Sequence, residues 1–256
     1  LRGNLLALDV DTDFLRPYKG FGVIRSTNNE GSSWYNGLQL GATRRFSNGF
    51  SYGVAYTYSK TSDNGSAQRD IIPNTYDAGN LWGPSTYDRR HILILNWIYE
   101  LPVLRGDQTL KGKLLGGWQI SGVTQFQPGN PTSVATSDDF AGVGTGGGAQ
   151  FWRKNGDTFI PRGERQFSYG GAADQAFYFR TRNADGTPIF TTPAAGTFVT
   201  DRVRDIIYNP GFQNWTLGLF KNFQVTESQR VQFRWELYNW PNHPNWGGVD
   251  SGPRSG

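Results

Sequence analysis

Asp9, Asp11 and Asp13 alternate with Val10 and Thr12, the spacing with which a calcium loop opens. Such a loop also needs Gly at its sixth place and Glu at its twelfth. Here those places hold Phe14 and Gly20, so the stretch reads as a solvated acidic loop. Gly142 to Gly148 is glycine-rich but lacks the Gly-Lys-Ser/Thr ending that would place a lysine on a phosphate. His91 and His243 are the only histidines, far apart, with no nucleophile at a meaningful spacing from either. Asp138-Asp139 sits among polar residues and reads as solubilising. With no cysteine there is no thiolate nucleophile, no disulfide framework and no cysteine zinc site. The expectation is a protein that is not an enzyme and needs no metal or cofactor.

The chemistry that remains is stacking and burial. The chain holds 17 Phe, 12 Tyr and 9 Trp among 256 residues, with 34 Gly. Trp82, Trp152, Tyr169, Phe177 and Tyr178 fall in polar loops, where an aromatic ring can stack on a sugar or peptide or pack one loop on another. The net charge of +4 is spread along the chain with no basic block, which argues against a nucleic-acid partner. No run approaches eighteen apolar residues, so no helix crosses a membrane. A mean hydropathy of -0.55 does not oppose a barrel, whose loops and lumen are polar. The chain starts at Leu1 and has no Met, which reads as a processed or truncated piece.

The aromatic residues sit on period-two segments, and a period of two puts alternate side chains on opposite faces of a strand. Near the end, Trp215, Leu217, Leu219 and Phe223 alternate with Asn214, Thr216, Gly218 and Asn222. After the polar turn Thr226-Glu227-Ser228, Val231, Phe233, Trp235 and Leu237 alternate with Gln232, Arg234, Glu236 and Tyr238. From Phe50 to Lys60, Phe50, Tyr52, Val54, Tyr56 and Tyr58 oppose small polar residues. From Trp34 to Phe46, the set Trp34, Leu38, Leu40, Ala42 and Phe46 opposes Tyr35, Gln39, Thr43 and Arg45. Asn48-Gly49 between these two runs is a hairpin signal, because both residues accept positive φ. A third strand is expected over 89–101, apolar on both sides apart from Asn96 and Glu100. A fourth is expected over 114–127, with Trp118, Ile120 and Phe126 opposite Gln119, Ser121, Gln125 and Gln127.

Runs of about ten residues suit a tilted strand crossing a bilayer. The connections alternate between short (47–49, 102–113, 224–229) and long (61–88, 128–212). In bacterial barrels the short turns are periplasmic and the long loops extracellular. The fold class expected is therefore all-β: an antiparallel transmembrane barrel segment of about six strands in the outer membrane of a Gram-negative bacterium. Its lipid-facing set would be Phe50, Tyr52, Val54, Tyr56, Tyr58, Trp215, Leu217, Phe233 and Trp235. Its lumen-facing set would be Gln39, Arg45, Gln119, Gln125, Arg234 and Glu236. Six strands fall short of the eight that close the smallest barrels.

The stretch 210–246, PGFQNWTLGLFKNFQVTESQRVQFRWELYNWPNHPNW, resembles the C-terminal end of Oar-like TonB-dependent outer-membrane receptors. The matches are Gly211, Asn214, Trp215, Leu217, Leu219, Lys221, Asn222, Phe223, Phe233, Arg234, Glu236, Asn239, Asn242, His243, Pro244 and Asn245. The stretches 15–64, 87–102 and 114–131 are similar to the same family in the same order. Thr216 and Gly218 depart from its usual Asp and Ser, and Trp240-Pro241 from its usual Leu/Phe-Asn. The resemblance implies residues 1–256 as the C-terminal part of a barrel of roughly 22 strands, without the plug, the N-terminal strands or the last strand. It implies uptake of a large ligand, an oligosaccharide or peptide, with the outer-membrane lipid, the protein's own plug and the TonB system as partners. Trp82, Trp152, Tyr169 and Tyr178 would then be candidate ligand contacts. The rival reading is a secreted β-sandwich that binds carbohydrate through aromatic loops, since a sandwich also alternates.

Overall fold

In the computed structural model, which describes residues 18–252 apart from 19, 22–23, 25, 68–69, 71, 75–76, 143–149 and 166–177, the alternating segments become one antiparallel meander. Its strands are β1 (Ser33–Ser47), β2 (Phe50–Asp63), β3 (His91–Glu100), β4 (Trp118–Gln127), β5 (Phe212–Gln224) and β6 (Arg230–Tyr238). Each pairs with its neighbour in sequence, so every connection is local in the sheet. Gly83–Pro84 adds a short rung at the loop end of β2. β1 and β6 are the two edges, and the sheet does not close on itself.

The β1–β2 hairpin closes through Asn48 (φ 53) and Gly49 (φ 80), the two positive φ values of a type I′ turn. Just before it the register slips by one. Arg44 pairs with Tyr52 but Ser47 with Phe50, so Arg45 and Phe46 together oppose Ser51. This bulge corrects the strict alternation expected for Phe46, since an inserted residue resets which side the next one takes. The expected strand over 114–127 is also shortened. Residues Leu110–Leu115 form a helical turn, α1, capped by Thr109 Oγ1 accepting from the Gly112 amide at 3.2 Å. The strand begins only at Trp118.

The long segment expected over 128–212 without clear strands is threaded with short two-stranded ribbons, and β5 begins at Phe212. Pro131–Thr132 pairs with Ile207–Tyr208, Ala135–Thr136 with Gln150–Phe151, and Arg153–Lys154 with Phe190–Thr191. Two-residue strands carry no period to read, which is why the sequence hides them.

The core lies in these loops. Among the described residues Leu81, Pro131, Val134, Ala141, Ile160, Ile189, Val199, Val203 and Ile207 are buried apolar side chains, and none belongs to the six long strands. The large apolar side chains of the sheet stay open: Leu38 is 55% exposed, Phe233 45% and Trp235 53%. A sandwich would bury one face of each strand against a second sheet. This sheet buries neither.

Candidate functional site

Register sorts the sheet into two faces. The rows Phe50–Tyr99–Ile120–Leu219–Trp235, Tyr52–Trp97–Gly122–Leu217–Leu237 and Val54–Leu95–Thr124–Trp215 run from strand to strand, because directly paired residues project to the same side. Phe50, Tyr52, Val54, Tyr56, Tyr58, Trp215, Leu217, Phe233 and Trp235 therefore share one face. The unresolved orientation of β3 settles the same way: Leu93, Leu95, Trp97 and Tyr99 join the aromatic face. Gly122 makes room there, since a Cβ on it would lie 2.5 Å from the Trp97 ring.

Rings gather toward the two ends of this face. Phe50 meets Tyr99 at 6.1 Å and Trp118 meets Phe233 at 5.6 Å near the short turns. Near the loops Phe126 meets Trp215 at 5.2 Å, Trp215 meets Trp240 at 6.1 Å, and the Tyr56 hydroxyl lies 2.8 Å from His91 Nδ1. Ala42, Val54, Leu95, Thr124 and Leu217 lie between, together with Tyr52 and Trp97. A continuous apolar and aromatic strand face is what a barrel wall presents to a bilayer.

The opposite face carries Gln39, Gln119, Gln125, Arg234 and Glu236, as the alternation predicts. Arg45 sits in the bulge instead of a regular pair. Along β6 the polar groups link end to end. The Tyr238 hydroxyl donates to Glu236 Oε2 at 2.8 Å, Arg234 lies 3.7 Å from Glu236, and Arg234 donates to Gln232 Oε1 at 3.3 Å. Gln232 then donates to Asn222 at 3.1 Å. Ile94, Ile98 and Val123 interrupt this face in the middle of the sheet.

The loops meet the strand ends through a buried polar network that motif reading missed. Arg204 holds Asp63 at 2.7 Å, donates to the Leu81 carbonyl at 3.2 Å and to Ser66 at 2.6 Å, and lies 3.4 Å from Asp205. Asp88, fully buried, accepts from the Thr61 amide, from Arg90 and from the Tyr208 hydroxyl at 2.7, 2.8 and 2.7 Å. Burial, then the bond to Asp88, pushes the Tyr208 phenol up to about 12. Burial also holds the Asp205 carboxyl above the usual carboxylate range, against the pull of Arg204. The available signal was opposite charges set side by side next to strands: Asp88-Arg89-Arg90 before β3 and Asp201-Arg202-Val203-Arg204-Asp205 ahead of the Ile207–Tyr208 rung.

After β6 the chain folds back on β5. The Asn239 side chain brackets the turn, accepting from the His243 amide and donating to its carbonyl. Asn245 then imitates a strand partner, accepting from the Gln213 amide and donating to the Gln213 carbonyl, both at 2.9 Å. The residues that carried the resemblance here thus cover backbone of β5 that β6 leaves unpaired.

Of the four loop aromatics, Trp82, Trp152 and Tyr178 lie among the described residues, each with its own neighbours. Trp152 packs edge-on to Phe140 at 6.1 Å. The Tyr178 hydroxyl accepts from Arg165 at 2.9 Å and donates to the Asn209 carbonyl at 3.2 Å, so it ties loop to loop. Trp82 is partly buried at the end of a 3-10 turn, Gly79–Leu81. A small cleft lined by Pro73, Asn74, Asn80, Gln150, Phe151, Pro193, Phe198 and Val199 includes none of them. Tyr169, Phe177, Asp9, Asp11 and Asp13 lie outside the described residues. Among the described residues no three His, Asp or Glu side chains are grouped as a metal site.

A single antiparallel meander with an aromatic, apolar face, a more polar opposite face and its buried apolar side chains in the loops has the architecture of an outer-membrane β-barrel wall. Over residues 6–255 the chain matches the family model described as the outer membrane beta barrel domain, and it belongs to that family. Its place is the outer membrane of a Gram-negative bacterium. No curated protein and no solved structure matches the chain significantly.

Proposed function

We propose that the chain forms part of the wall and outer mouth of a TonB-dependent receptor that takes up a large polar ligand such as an oligosaccharide or peptide. The observation that carries this reading is the division of labour in the fold. One sheet has an apolar face for lipid and a polar face for a lumen, while a separately cored loop layer stands at one end. The Oar-like motifs supply the TonB assignment, and the Asn239–Asn245 segment gives them a structural task. Gln39, Arg45, Gln119, Gln125, Arg234 and Glu236 would meet a plug through hydrogen bonds and ion pairs. The free edges of β1 and β6 favour a larger barrel, because lipid does not tolerate unpaired backbone N–H and C=O groups. Secondary reading of the same wall as a passive pore or adhesin predicts a different dependence on energy.

The test compares strains with and without the full-length protein for removal of oligosaccharides and peptides from the medium. Uptake that needs both the protein and a working TonB system is expected. Uptake that persists without TonB, or steady conductance in planar bilayers, would replace the receptor by a pore.

A further inference from the structure

The connection between β3 and β4 breaks the rules of a solvent-exposed turn. Val103, Leu104, Leu110, Leu114 and Leu115 are all exposed, Leu110 by 73% and Leu115 by 58%. Soluble turns seldom cluster so many large apolar side chains. Between them stand three cations, Arg105, Lys111 and Lys113. The turn is nonetheless held rigidly. Asp107 accepts from the Thr109 amide at 2.8 Å, Thr109 caps α1, and Trp118 Nε1 donates to the Leu114 carbonyl at 3.2 Å.

The anchor is a lysine in an unexpected place. Lys221 projects from β5 onto the aromatic face, paired with Trp118 on one side and Phe233 on the other, and is 3% exposed. Its ammonium donates to the Leu114 carbonyl at 3.0 Å and to the Gly116 carbonyl, and lies 5.5 Å from the Trp118 ring and 5.0 Å from the Phe223 ring. A cation on a strand face meant for lipid is costly unless compensated. Here the last carbonyls of α1 and the two rings compensate it. The bond fixes α1 to the rim of the aromatic face, which makes the turn's apolar side chains continuous with that face.

We infer that residues 103–115 form a foot that lies in the bilayer interface at the short-turn end. Leu110 and Leu114, one turn apart on α1, enter the acyl boundary, and Lys111 and Lys113, on either flank of that pair, reach anionic phospholipid headgroups. This is the behaviour of an interfacial basic amphipathic segment, built here into a barrel turn. Continuity with the aromatic face and the sign of the charge select lipid over a protein partner. The inference rests on the lipid-facing reading of that face.

Because residues 1–256 hold no cysteine, single-cysteine variants can be spin-labelled here once any cysteine elsewhere in the full-length protein is replaced by serine. The full-length protein would be labelled at Leu110→Cys, Leu114→Cys and Lys111→Cys, with Tyr56→Cys as lipid control and Asp185→Cys as water control. Vesicles of phosphatidylethanolamine and phosphatidylglycerol serve as the probe, read by collision with oxygen and with a nickel chelate. Labels at 110 and 114 are expected about 5–10 Å below the phosphates, and that at 111 in water. Lys221→Met should raise nickel collision at the 114 label by about threefold, as the foot lifts off. If this variant does not assemble, the label series in the unmodified background decides alone. Labels at 110 and 114 as wet as that at 185, with that at 56 in lipid, would overturn the foot but keep the membrane face. A wet label at 56 would overturn the membrane face itself. A 114 label shielded from both oxygen and nickel would mean protein packing and would also overturn the foot.

Discussion

Tyr208 and Asp205 show how single groups hold the loop layer. The Tyr208 hydroxyl is one of three donors to a carboxylate with no access to water. Tyr208→Phe removes that donor and leaves Asp88 short of a partner, at a cost of about 1–3 kcal/mol. Faster hydrogen exchange at the Thr61 and Tyr208 amides is the expected sign, and unchanged exchange would demote the network. For Asp205 the folded carboxyl titrates above its unfolded value, so protonation favours the folded loop. Its stabilising contribution is full below the unfolded carboxylate range and is lost as pH rises through the raised value. Asp205→Asn should therefore protect the 128–211 loop at neutral pH at least as well as the native residue does. Asn also tolerates the positive φ of 55 at this position. The protease-nicking rates of the two proteins should converge on acidification, and a variant nicked faster at neutral pH would show that the Arg204 attraction outweighs burial.

Strands are decided by which face a residue takes. Val54 lies in the middle part of β2 on the aromatic face, and Gln125, toward the loop end of β4, lies on the polar one in the rung Ala55–Ile94–Gln125 next to it. An arginine in mid-bilayer costs about 2–4 kcal/mol, whereas a lumen position accepts it. Val54→Arg is expected to impair assembly of the full-length protein and Gln125→Arg to spare it, read by heat-modifiable migration in gels. Equal behaviour of the two would contradict membrane placement. The alternation that locates both residues was legible because it is local. Phe46 and Leu114 were misplaced for reasons equally local in effect but not in sequence. A bulge looks like ordinary strand until its partner is known, and α1 is too short to show a helical period.

The molecule as a whole is divided between a wall and a layer of loops. Protease added to intact cells should nick the full-length protein within 128–211 and spare Asn48-Gly49, since long loops of barrels face outward. Cleavage that appears only after permeabilisation would invert the orientation. The sheet's open edges give a further expectation. Residues 1–256 expressed alone in the cytoplasm should aggregate, because unpaired strand edges template pairing and the aromatic face drives it. A soluble, monodisperse species without detergent would contradict that account.

Composition and a period of two were enough to read the class of fold, the six strands and, outside β3 and the Arg45–Phe46 bulge, which residues share a face. Each of these depends only on neighbours along the chain and on the pleat. Where the core sits was not readable, because Val199, Ile189 and Leu81 carry no pattern that distinguishes them from any loop residue. Nor was the network that fastens loops to wall: Arg204 meets Asp63 across 141 positions of sequence. Lys221 reads as an interruption of an apolar strand until α1 is seen folded beneath it. Contacts of that range exist only once the meander has fixed which ends of which strands lie together, and that is decided by pairing between strands and not by any one of them.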